Sequence, residues 1–265
     1  SGFPFEMDTA NIDSIEVLKG PASILYGRIE PGGMVNVNTK RPLDTPHGAL
    51  EQQFGSYNFY RTLWDVGGAI TDSRSLSVRF AGGYQNSGSF RDFNFIDRKV
   101  FNPSVTWRPT DKTTMTVDVE ILKQDFRADS GIPVIGNRPA PVPISRSYAD
   151  PNTPVSFTNK THIGFHLDHK LNESWKLTNR FLSSFIDAES IWANPAPAFG
   201  NALQADGRTL NRNIFGPTSY VRTYAPNLDL TGKFAVAGTQ HTLLIGMDYT
   251  RAATDYGIYG NFTSG

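Results

Sequence analysis

From Gly48 to the C-terminus, apolar side chains recur at every second position over long runs. Thr62, Trp64, Val66 and Ile70 share one face of a predicted strand, opposite Arg61, Asp65 and Gly67. Leu76, Val78 and Phe80 alternate with Ser75, Ser77 and Arg79. Leu228, Leu230, Phe234 and Val236 alternate with Asp229, Thr231, Lys233 and Ala235, and Leu243, Ile245, Met247 and Tyr249 with Thr242, Gly246 and Asp248. The cleanest run sets Met115, Val117, Val119 and Ile121 against Thr114, Thr116, Asp118 and Glu120. Soluble strands typically hold about five or six residues. Strands of about ten or more suit a tilted bilayer crossing. About nine such strands fit between residue 48 and the end, and bacterial single-chain barrels use even numbers. The expectation is an all-β, antiparallel meander that forms part of a transmembrane β-barrel and stops before closure.

The connections carry a second signal. Thr71-Asp72-Ser73, Pro109-Thr110-Asp111-Lys112, Leu171-Asn172-Glu173-Ser174 and Ala237-Gly238-Thr239 read as tight turns. Between them lie predicted long loops at 85–98, 128–158 and 188–218. The middle one holds Pro133, Pro139, Pro141, Pro143, Pro151 and Pro154 and is expected to contain no ladder strand. Alternation of short and long connections is what a barrel with periplasmic turns and external loops shows. A soluble β-sandwich could also carry loops of mixed length, but nothing would force them to alternate.

Composition narrows the classes. Lys plus Arg and Asp plus Glu are 25 each among 265 residues, a neutral balance that argues against a nucleic-acid partner. The chain has no Cys, so disulfides, thiolate metal sites and cysteine nucleophiles are excluded. No apolar stretch is long enough for a membrane-spanning helix, which leaves a barrel open, because alternating strands average out as polar. Ser1-Gly2-Phe3-Pro4-Phe5-Glu6 does not read as a signal peptide, so the expectation is a processed chain or an internal piece of a longer one.

Residues 1–46 differ from the rest. A predicted strand at Ile12–Leu18 is stopped by Lys19-Gly20-Pro21, a helical turn is expected at Ala22–Gly27, and a second strand at Met34–Thr39 follows the Pro31-Gly32-Gly33 turn. A segment this short cannot bury a core alone and should pack against something larger. Its Ile15-Glu16-Val17-Leu18-Lys19-Gly20-Pro21-Ala22-Ser23-Ile24-Leu25-Tyr26-Gly27 and Pro31-Gly32-Gly33-Met34-Val35-Asn36 stretches resemble the plug domain of the TonB-dependent outer-membrane receptors, in the ferric-siderophore branch. The resemblance implies the C-terminal part of a plug at 1–46 and the N-terminal portion of a 22-stranded barrel at 47–265. A whole barrel of that kind, at the density seen here of about 24 residues per strand, needs over roughly 500 residues. It also implies active, TonB-energised import of ferric siderophores at the bacterial outer membrane, with outer-membrane lipid and the inner-membrane protein TonB as partners. Iron is expected only as the siderophore chelate, with no cofactor, no nucleic acid and no covalent chemistry. Alternatives are uptake of cobalamin, haem or an oligosaccharide, a passive porin, or a soluble carbohydrate-binding sandwich.

The resemblance singles out two candidate residues, and position and periodicity single out the rest. Tyr26 matches an aromatic at the plug apex facing the siderophore, against the alternative of wall packing. Arg41 resembles plug arginines that pair with barrel acids, against that of a solvated charge. Tyr148, Phe157, Trp192 and Phe199 fall in the predicted long loops, where aromatics can line a vestibule or pack the loops themselves. Tyr57, Phe59, Tyr60, Trp107 and Trp175 fit interfacial girdles. His162, His166 and His169 would form a metal triad on a helix, but the strand periodicity around Ile163, Phe165 and Leu167 sets the first two about 13 Å apart and turns His169 to the other face. No metal site is expected. Asp118 and Glu120 read as acids facing the lumen, with Val117, Val119 and Ile121 facing lipid.

Overall fold

A computed structural model describes residues 7–20, 32–149, 151–195 and 203–261. After a 3-10 turn at Thr9–Asn11, strands β1 (Ile12–Lys19) and β2 (Gly33–Thr39) form a two-stranded antiparallel sheet. The main sheet begins with β3 (His47–Gly55), β4 (Phe59–Ala69), β5 (Leu76–Gly88), β6 (Phe95–Thr110) and β7 (Thr113–Phe126). Two-residue strands β8 (Val134–Ile135) and β9 (Arg138–Pro139) pair with each other in the next loop. The main sheet resumes with β10 (Ser156–Lys170), β11 (Trp175–Glu189), β12 (Trp192–Pro195), β13 (Arg212–Val236), β14 (Thr239–Asp248) and β15 (Arg251–Asn261).

Eleven strands make this one sheet, each long strand pairing antiparallel with its neighbour in sequence. β11 and β12 lie in succession along one edge of β13, and β14 and β15 along the other, so the eleven strands make nine spans. Among the described residues the other sheets are two-stranded pairs, and no second large sheet faces the first as a sandwich requires. The turns explain the regular reversal. Ala237 (φ 48) and Gly238 (φ 80) take the left-handed conformation that a two-residue hairpin between right-twisted strands requires.

The two faces invert the pattern of a soluble protein. Asp65, Ser77, Arg79, Ser104, Thr106, Thr116, Gln124 and Lys160 are buried on the inner face, toward residues 8–44. Leu50, Val66, Phe80, Phe101, Val117 and Ile163 are exposed on the outer face. An apolar exposed band backed by a polar buried wall is stable only where lipid covers the band. The expected facing of β7 holds, since Glu120 reaches the N-terminal segment and Val117 points away from it. Trp64 lies across Gly82 on the outer face, where a Cβ at Gly82 would meet its ring at 2.5 Å.

Strand ends differ from the expectation. The ladder continues to Gly88 and resumes at Phe95, leaving a loop of 89–94, and β11 and β13 likewise run into the predicted 188–218 loop. Near these ends polar residues occupy both faces, as in Gln85-Asn86-Ser87, so the alternation fades while backbone pairing persists. Pro139 does join a ladder, though one of two residue pairs. Pro103 sits inside β6 where Asn102 and Pro103 find no partner on β7, the rungs on either side being Phe101–Ile121 and Ser104–Asp118.

Candidate functional site

The inner face has two levels. At the lower level and mid-height it is tied to residues 8–44 by charge. Asp8 caps the 3-10 turn, its Oδ1 accepting from Ala10 N at 2.8 Å. The same carboxylate accepts from Arg61 on β4 at 2.8 Å and Arg98 on β6 at 3.4 Å. Asn11 donates to Glu120 Oε2 on β7 at 3.4 Å. Just past β2, the Lys40 ammonium pairs with Asp65 at 2.9 Å, while Arg79 grips Asp65 with two bonds of 2.7 Å and donates to the Arg41 carbonyl at 2.8 Å. Asp44 accepts from Ser77 and Arg108, each at 2.9 Å. The Asp65 and Arg79 side chains are only 9% and 10% exposed, so little water screens the pair.

The upper level, toward the long loops, is a cavity of about 1100 Å3 between strands β6, β7, β10, β11, β13 and β15. Phe126, Ile186, Trp192, Phe215 and Tyr256 give it an apolar and aromatic lining, with Lys160, Arg127 and Asp129 as its charges. Arginines pin the loops above it through backbone carbonyls. Arg127 donates to Phe93 O at 3.1 Å, Thr153 O at 3.4 Å and Pro151 O at 3.5 Å. Arg91 pairs with Asp129 at 3.0 Å and donates to the carbonyls of Ile144 and Arg146, and Arg212 donates to that of Tyr148. A concave, mostly apolar site with a few placed polar groups is what binds a small or medium ligand.

Of the residues singled out from sequence, Trp192 lines the cavity. Tyr148 is half-buried in its loop, and its carbonyl, not its ring, makes the described contact. Phe157 lies on β10 instead of a loop and faces outward, beside Asp97, Asp125 and Asp187 in a shallow groove. The reason is its neighbour. Ser156 starts the ladder facing inward, fully buried, accepting from Ile191 N at 2.8 Å, so the next residue must point out. Tyr26 and Phe199 lie outside the described residues. Arg41 has no carboxylate within ion-pair distance among the described residues; Lys40 takes the role expected of it. The histidines have separate neighbours, His166 reaching Asp168 at 3.0 Å and His169 reaching Thr113 at 2.9 Å.

Sequence reasoning missed Lys160, Asp65 and Arg79. Lys160 falls in the inward register of β10, and its Nζ lies 2.5 Å from Glu120 Oε1. An opposite charge two positions diagonal across a strand pair was the available signal.

A sheet that is apolar outside and charged inside, with a small N-terminal segment tied to its inner wall, is part of a membrane β-barrel carrying part of a plug. Residues 2–34 match the TonB-dependent Receptor Plug Domain. The chain is 30% identical over 256 residues to the metal-pseudopaline receptor CntO of Pseudomonas aeruginosa strain UCBPP-PA14, covering 96% of this chain and 35% of that protein. It is 26% identical to the ferrichrome outer membrane transporter/phage receptor of Escherichia coli K12, covering 94% of this chain and 36% of that one. Its fold matches the pyoverdine outer membrane receptor FpvA of Pseudomonas aeruginosa PAO1 with a TM-score of 0.82 at 22% identity, over 97% of this chain and 38% of that chain. Over nearly its whole length the chain is thus similar to TonB-dependent receptors, with the plug match at its N-terminus. It spans 35–38% of the length of these relatives.

Proposed function

We propose that residues 1–46 are the C-terminal part of a plug and 47–265 the first spans of an outer-membrane barrel that imports ferric-siderophore chelates. The observation that carries this reading is the aromatic cavity above a charge-tied N-terminal segment, in a chain similar to receptors named for ferrichrome and pyoverdine. The chelate binds at the upper level, and energy delivered by TonB in the inner membrane rearranges the plug so that the cargo passes inward. Iron is part of the cargo and not a resident cofactor. The work is transport, with no bond made or broken in the ligand. A passive porin is disfavoured, because a segment fastened to the wall by Asp8, Lys40 and Asp44 would only obstruct it. The similarity to a metal-pseudopaline receptor favours a second reading, a chelate of a metal other than iron.

The test is uptake by the full-length receptor in cells lacking their own siderophore receptors. Accumulation of radioactive iron from a ferric chelate, lost when TonB is deleted, is the expected result. Uptake that persists without TonB, or no uptake of any ferric chelate, would contradict it.

A further inference from the structure

Lys160 stands where the cavity meets the tethered segment. It lines the cavity, and its ammonium contacts Glu120 Oε1 at 2.5 Å. The other carboxylate oxygen, Oε2, accepts from Asn11 Nδ2 at 3.4 Å. The Asn11 carbonyl accepts from Lys40 N at 2.9 Å, and the Lys40 ammonium pairs with Asp65 at 2.9 Å. A continuous polar chain therefore runs from the cavity through Lys160, Glu120, Asn11 and Lys40 to the Asp65–Arg79 pair. Lys160 and Glu120 are 6% and 18% exposed, so their charges are poorly screened and each depends on its neighbours.

An anionic group entering the cavity meets two cations. Arg127 has both terminal nitrogens committed to loop carbonyls. Lys160 has three donors on a flexible stem and can turn one toward a ligand. We propose that Lys160 is the residue through which an anionic, oxygen-rich chelate in the cavity loosens the N-terminal segment. Ligand oxygens draw the ammonium off Glu120, the carboxylate loses the partner that orients it, and the Asn11 bond, the longest in the chain, is released. This rests on the reading of the cavity as the chelate site and adds the route by which occupancy reaches the plug. Coupling of this kind is reciprocal. Whatever breaks the Asn11–Glu120 bond must also tighten ligand binding, and Lys160 must be present for it to do so.

The experiment uses the full-length receptor in detergent. The probe is whichever of the anionic chelates ferric tris-catecholate and ferric citrate saturably quenches its tryptophan fluorescence. In the unaltered receptor the probe is expected to speed amide hydrogen exchange in residues 9–19. Asn11→Ala is expected to bind the probe roughly fivefold more tightly or better. In Lys160→Met the probe still binds, but both effects vanish, and Lys160→Arg restores them. Glu120→Gln, close in shape and able to accept from Asn11, should also abolish both effects, and it serves if Lys160→Met does not assemble. Probe binding in Lys160→Met with the faster exchange and the Asn11→Ala gain intact would overturn the proposal while leaving the chelate site standing. Saturable binding of neither probe would instead remove the anionic-chelate site and this inference with it.

Discussion

The lower and upper levels of the inner wall belong to one sheet but draw mainly on different strands, and they do opposite work. Below, Asp65 and Arg79 project from β4 and β5 to meet Lys40, and Asp44 accepts from Ser77 and Arg108 beside them. Above, β7, β11, β12 and β13 line a cavity with Phe126, Ile186, Trp192 and Phe215, where few polar groups stand among apolar ones. A paired, desolvated network holds a segment in one place, because losing any member strands a buried charge. An apolar cavity with pinned loops holds space open for something else. Stability and binding should therefore separate by mutation. Lower-level changes should cost fastening, and upper-level changes should cost affinity.

The largest effect should come from Asp65→Ala, which strands Lys40 and Arg79 together. It is expected to destabilise the intact receptor by about 3–5 kcal/mol, read from denaturant unfolding, and to raise hydrogen exchange in residues 8–20. Next is Val119→Arg on the outer face. It should impair assembly by about 2–4 kcal/mol if the site lies near the bilayer midplane, measured as loss of the heat-modifiable folded band. Trp192→Ala sharpens the contrast from the other side. It should weaken chelate binding by about 1–2 kcal/mol in titration while leaving the unfolding midpoint in place. An unfolding shift as large as that of Asp65→Ala would erase the distinction between levels.

The smallest effect concerns the loop at 203–211. The Asp206 carboxylate is held below its usual range by the Thr209 hydroxyl and by the backbone amides of Thr209 and Arg208. A depressed folded value means the loop order it confers is complete at neutral pH and is lost as pH falls through the carboxylate range. Protection of the Arg208 and Thr209 amides should therefore decline at acid pH, and Asp206→Asn should remove that dependence.

The outer face was the legible part of this fold. Lipid demands apolar residues at every outward position, so Val117, Val119 and Ile121 announce themselves by period alone. The inner face imposes no such uniformity. Lys160 is invisible until the register of β10 on β7 is known, and Asp65 until Lys40 is brought to it from outside the sheet. Aromatic content in a supposed loop was a poor guide for the same reason. Trp192 and Phe157 looked alike in sequence, but the ladder begun by Ser156 sent Phe157 outward. The resemblance points to Arg41, while the chain past β2 delivers Lys40 to the acid and leaves Arg41 to contribute its carbonyl.

A structure of the full-length receptor with a ferric chelate bound decides whether the cavity is the ligand's seat. The chelate is expected on the inner face at the upper level, in contact with Trp192 and Phe126 and with one of its oxygens on Lys160. A chelate seated elsewhere, with the cavity filled by protein side chains, would contradict this placement.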